Sequence, residues 1–100
     1  GVEKNSAGAA DLFTLAALAG NATAALRLAE MHGNGDGIPA NEEEAAFYTV
    51  IAAELGNVDA MPKAKAVRKS MNFRLVQQTA FENRIKGWFK EYGHSRVPQQ

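Results

Sequence analysis

The sequence predicts an all-α fold in which antiparallel helix hairpins stack into a short solenoid, closed by a long terminal helix. Three observations predict it. The chain overlays itself at an offset of 36 residues, with "AALAGNATA" at 16–24 on "AAELGNVDA" at 52–60, and a self-match at such a period marks a helical repeat. Between the turn signals, apolar residues recur at helical spacing. After residue 72 the pattern changes to one amphipathic stretch without a break, long enough to cover the apolar end of a repeat stack.

The elements follow in order. "GVEKN" at 1–5 overlays "GIPAN" at 37–41. The chain is therefore expected to begin inside a repeat whose first helix is missing, as the C-terminal part of a longer array. In that case Leu12, Leu15, Ala16 and Ala19 form an uncovered apolar stripe that favours end-to-end association. Gly20 suits a left-handed helix stop, and Thr23 is expected to cap a helix carrying Ala24, Ala25, Leu28, Ala29 and Met31 on one face. Glycines 33, 35 and 37 end that helix. Asn41 caps the next, with Glu42, Glu43 and Glu44 in the first turn at the positive end of the macrodipole. Its inward stripe is expected at Ala45, Tyr48, Ile51, Ala52 and Leu55. The alanine pairs 16/17 and 52/53 let helices approach closely. Asp59 stands where Thr23 does and is also a capping type, opening a helix with a stripe of Ala60, Ala64, Val67 and Met71. The terminal helix, "FRLVQQTAFENRIKGWFKEYG", presents Val76, Ala80, Ile85, Trp88, Phe89 and Tyr92 on overlapping faces, and Gly87 within it implies close packing. "HSRVPQQ" reads as a frayed tail.

"AALRLAEMHGNGDGIPAN" at 24–41 followed by "AAFYTVIAAELG" at 45–56 resembles the Sel-one-like repeat family, relatives of tetratricopeptide repeats. The glycine pair 35/37, the double alanine 52/53 and the spacing all agree. Ala29 replaces the pattern's first glycine, His32 its tyrosine, Ile38 its valine, Asn41 its aspartate and Tyr48 its tryptophan. The resemblance implies a right-handed α/α solenoid over residues 1–71, with 72–93 as the capping helix and 94–100 as a flexible tail. It weakens in "AMPKAKAVRKSM", where Lys65 stands for a glycine and Pro62 enters the first turn. It also implies a non-catalytic scaffold or adaptor for a protein partner, in a bacterial envelope or signalling setting, with the first helix of each hairpin lining the concave face. Outward positions there are Thr23, Arg27 and Glu30 in one unit and Asp59, Lys63 and Ala66 in the next. Arg27 and Lys63 align across the repeat, a basic row suited to an acidic or carboxylate-bearing segment. A different reading makes these residues only the terminating cap of a longer array, with binding upstream.

Other chemistry is weaker. "HGNGDGIPANEEE" nearly fits a calcium loop from His32, yet histidine at the first position is a poor ligand for a hard cation and Pro39 lacks the N–H that loop pairing needs. The repeat explains the same residues as a turn, so no metal is expected. Glu30 and His32, two apart on a helix, face different ways, and His32 is expected to pack at the helix end. "GNGDG" lacks the spacing and lysine of a phosphate loop, no cofactor is implied, and "NAT" at 21–23 is explained by the turn. A glycan hydrolase would need two carboxylates paired from Glu30, Glu43 and Glu82, and their spacing does not pair them. There is no cysteine, and no apolar run long enough for membrane insertion. The net charge of zero hides an asymmetry: nine of the eleven basic residues lie at or beyond Lys63 and nine of the eleven acidic ones before it, about −7 against +7. Mutual attraction of the halves is the simplest account. Lys63, Lys65, Arg68 and Lys69, followed by Arg74, are expected on a solvated helix face, and without interleaved aromatics they argue against single-stranded nucleic acid.

Overall fold

The computed structural model describes residues 2–70 and 75–98. It contains α1 (Val2–Leu18), α2 (Ala22–Asn34), α3 (Glu42–Glu54), α4 (Ala60–Ser70) and α5 (Leu75–Tyr92), with no strand among the described residues. The sequence's helices and their order are those expected. α1 packs on α2, α2 on α3 and α3 on α4, while α5 lies against α3. Met71 and Arg74, expected in the α4 stripe and the basic cluster, lie outside the described residues, as do the expected first residues of the terminal helix at 72–74.

The 36-residue period is visible in the backbone hydrogen bonds. Gly20 N donates to Ala17 O at 2.9 Å and Asn21 N to Ala16 O at 3.0 Å; Gly56 N donates to Ala53 O at 3.0 Å and Asn57 N to Ala52 O at 2.9 Å. Both glycines have positive φ, +94° and +107°, where a side chain would be strained. Asn21 then accepts from Ala24 N, and Asn57 from Ala60 N, each at 2.9 Å. Asn21 therefore caps α2 in place of the expected Thr23, and Asn57 makes the same bond from the turn that leads into α4, in place of the expected Asp59. The left-handed glycine reverses the chain so abruptly that the next residue is already in place to receive the helix's free N–H groups.

Asn41 does cap α3 as expected, accepting from Glu44 N at 3.1 Å. Gly35 ends α2 in the left-handed conformation with its N–H on Met31 O, and Asn41 N closes the turn onto His32 O at 2.8 Å. A side chain on Gly35 would also come within 3.2 Å of Ala40 Cβ.

The core centres on α3. All five predicted α2 positions are buried. On α3 the expected stripe is too narrow: Ile51 and Ala52 are fully buried and Ala45, Tyr48 and Leu55 half-buried, but Phe47, Val50, Ala53 and Glu54 are buried as well. With α2 and α4 on its flanks and α5 against it, this helix has no broad solvent face. Ala60 and Ala64 bury the inner side of α4. From α5, Ile85, Trp88 and Phe89 are buried and half-buried Phe81 joins them, its ring edge-on to Phe47 at 6.4 Å. Ala80 is exposed, contrary to expectation. So is Gly87, where an added Cβ would meet nothing within 4 Å, so close packing is not why a glycine stands there. Leu12 and Leu15 are exposed at 68% and 65%.

Candidate functional site

The residues expected to face a partner are at the surface. Thr23 and Arg27 are exposed on α2, Lys63 and Ala66 on α4, and Asp59 in the turn before α4. Glu30 is half-exposed and pairs with Arg27 at 3.1 Å. Both side chains are open to solvent, so the pair contributes at most about 1 kcal/mol and releases Arg27 readily. Opposite this face, Ala25 and Leu28 of α2 and Ala60 and Ala64 of α4 are buried. α2 and α4 thus hold Thr23, Arg27, Glu30, Lys63 and Ala66 away from the core, and the turn before α4 does the same for Asp59.

The glycine-rich loop serves as a turn. His32 stacks on Tyr48, with ring centroids 5.7 Å apart and planes 2° from parallel, which is the packing role its place in the repeat implied. Burial raises the Tyr48 phenol above its ordinary pKa, with the Glu44 charge adding to it. Among the described residues no group of three or more His, Asp or Glu converges as a metal ligand set. Glu30 is tied to Arg27 and Glu82 to Arg68, while Glu43 borders a different cleft beside Ser70 and Arg84.

Sequence reasoning missed an ionic cluster. Glu54, only 3% exposed, receives Arg68 Nη2 at 3.1 Å and Arg96 Nη2 on the same Oε1. Arg68 also donates from Nε to Glu82 Oε1 at 2.8 Å. Burial alone would lower the Arg68 pKa, but the hydrogen bonds and charges of Glu82 and Glu54 outweigh it and hold the pKa above its usual value. Arg68 is thus half-buried and paired, not part of a solvated face, whereas Lys63, Lys65 and Lys69 are exposed as expected. The one available signal was the repeat itself, which puts Glu54 where the preceding unit has Leu18. Farther along α3, Arg84 meets Glu44 at 2.8 Å and lies over the Phe47 ring at 3.7 Å. The contacts of Glu44 and Glu54 join acidic residues of the first half to arginines of the second, the mutual attraction expected from the charge asymmetry, while Arg68–Glu82 lies within the second half.

The Sel1 repeat family matches residues 1–21 and 22–57. The chain belongs to the Sel1 repeat family. The two matched segments end on Asn21 and Asn57, the capping residues that define the 36-residue period in space. The second match encloses the α2–α3 hairpin with its glycine turn; α4 and α5 lie beyond it. No curated protein and no solved structure matches the chain. Sel1 repeats are generally non-catalytic protein-interaction modules.

Proposed function

We propose that this chain is a scaffold or adaptor module that holds a segment of a protein partner along the outer sides of α2 and α4, on Thr23, Arg27, Glu30, Asp59 and Lys63. One observation carries the reading: Arg27 and Lys63, equivalent across the 36-residue repeat, are both exposed on helices whose opposite sides are buried. The partner segment is acidic. Its carboxylates take the Arg27 guanidinium in exchange for Glu30 and pair with the Lys63 ammonium one repeat farther on. In this reading α5 is the capping helix, which covers α3 with Phe81, Ile85, Trp88 and Phe89 and has no part in recognition.

The test is capture of proteins from the native cell lysate by the wild-type chain and by the Arg27→Glu/Lys63→Glu double variant, followed by mass identification. A protein retained by the first and lost by the second, with helicity equal in both, supports the module and this face. A partner retained equally by both removes the site. Capture that requires other parts of a longer protein would favour the terminating-cap reading.

A further inference from the structure

The segment that follows α5 meets equivalent places in two consecutive units. His94 Nε2 donates to Leu18 O at 2.7 Å, and Val97 N donates to Glu54 O at 2.7 Å. Leu18 and Glu54 are 36 residues apart and are the last residues of α1 and α3. Carbonyls at a helix C-terminus lack intrahelical partners and carry the negative end of the macrodipole. A row of them therefore accepts N–H donors and cations. Three residues separate the two contacts, a step that reaches about 10 Å when fully extended.

Side-chain space follows the same period. Gly20 lies under the His94 ring, where a Cβ would come within 2.8 Å of it, and Gly56 lies under Val97, where a Cβ would come within 3.7 Å. Gly20 thus leaves room for the His94 ring as well as reversing the chain, whereas a Cβ at Gly56 would make only ordinary contact with Val97. Beside the second carbonyl stands the Glu54 carboxylate, in a place where Leu18 shows that packing requires none. A buried carboxylate at a helix C-terminus is opposed by both desolvation and the dipole. Arg68 and Arg96 compensate it through Oε1, and the Arg96 guanidinium also lies 5.6 Å from the Phe89 ring centre. The other oxygen, Oε2, is buried with no hydrogen-bond partner among the described residues. A paired carboxylate and guanidinium can form two parallel bonds, so half of such a fork is unfilled.

We propose that the C-terminal ends of α1 and α3 form a docking track for an extended, arginine-bearing peptide, that residues 94–98 fill it in cis, and that a partner segment of the same chemistry takes it in trans. This surface does not include the Thr23, Arg27 and Lys63 row, although Arg68 of α4 borders it, and it has the opposite charge preference. The arginine of a free peptide, not tethered to α5, can approach both oxygens of Glu54, which gives it an advantage over Arg96. The cis segment has the advantage of tethering, equivalent to a local concentration of about 1 mM.

The probe is a fluorescein-labelled peptide GHSRVPQQ, titrated by anisotropy against the full wild-type chain and its His94→Ala/Arg96→Ala variant. The variant should bind at least about tenfold more tightly than wild type, because the tethered competitor is weakened. Replacing the peptide's arginine with alanine should weaken binding to the variant by about thirtyfold or more, as loss of one partner of a buried charge pair does. A variant that keeps the wild-type helical signal but binds both peptides alike, or neither, overturns the proposal. Should the variant lose that signal, the wild-type chain decides. About 10 mM unlabelled peptide, above the tethered local concentration, should speed hydrogen exchange at the Val97 amide, and the alanine peptide should not. Exchange at Val97 unaffected by either peptide overturns it.

Discussion

Asn21 and Asn57 test the repeat at the level of single hydrogen bonds. Each accepts one bond at 2.9 Å from the third residue beyond it, Ala24 N and Ala60 N respectively. Alanine at either place leaves that N–H without its side-chain acceptor. Loss of such a cap costs about 1 kcal/mol. The two caps serve different helices and share no partner, so the double substitution should cost about 2 kcal/mol by simple addition. For a domain of this size 1 kcal/mol corresponds to a shift of roughly 4–8 °C in midpoint. Thermal melts followed by far-ultraviolet circular dichroism should then fall by roughly that much for each single variant and by twice that for the pair. Thr23→Ala and Asp59→Ala, at exposed positions that make no cap bond, should stay within about 0.5 kcal/mol of wild type. If the threonine or aspartate variant cost as much as the neighbouring asparagine variant, the assignment of the caps and the turn geometry would be wrong.

Arg68→Ala should destabilise by about 3–5 kcal/mol in urea unfolding, because Glu54 stays buried with Arg96 as its only cation among the described residues, whereas Glu54→Leu, which copies Leu18, should cost clearly less. Gly87→Ala should raise stability by about 1 kcal/mol, since the site is open and glycine weakens a helix interior; a lowered midpoint would mean that α5 packs there after all. The raised Tyr48 phenol holds its proton more tightly in the folded chain than in the unfolded one, where ionisation centres near 10.0. Its contribution to stability is complete below that pH and is lost as pH rises through the folded value. Tyrosinate absorbance should accordingly lose its highest-pH component in Tyr48→Phe, and the variant's stability should fall less steeply above pH 10.

The architecture was legible because its signals are local and occur twice. Glycine in the left-handed region, asparagine at the next position and paired alanines before them appear at 16–21 and again at 52–57. A turn written twice is hard to mistake. The sequence does not single out the cap, because Thr23 and Asp59 are as good capping types as the asparagines, and only the backbone path after Gly20 and Gly56 chooses between them. The sequence of α3 shows one apolar face, because nothing in it reveals that α5 returns to cover another. The outward positions on α2 and α4 could be read from periodicity alone, since an exposed residue needs no knowledge of distant neighbours. The Glu54 cluster could not: its cations come from positions 68 and 96, and nothing local links them. The same holds for the terminal segment. Its composition suggested fraying, yet His94 and Val97 find their acceptors on Leu18 and Glu54, far back in the chain.

Isothermal titration of the captured partner's binding segment into the wild-type chain and the Arg27→Glu/Lys63→Glu variant tests most directly whether α2 and α4 form the interaction face. The account predicts that affinity falls by at least about tenfold in the variant at low salt, with unchanged far-ultraviolet dichroism, and that wild-type affinity weakens as ionic strength rises. Equal affinities for the two proteins, insensitive to salt, would contradict it.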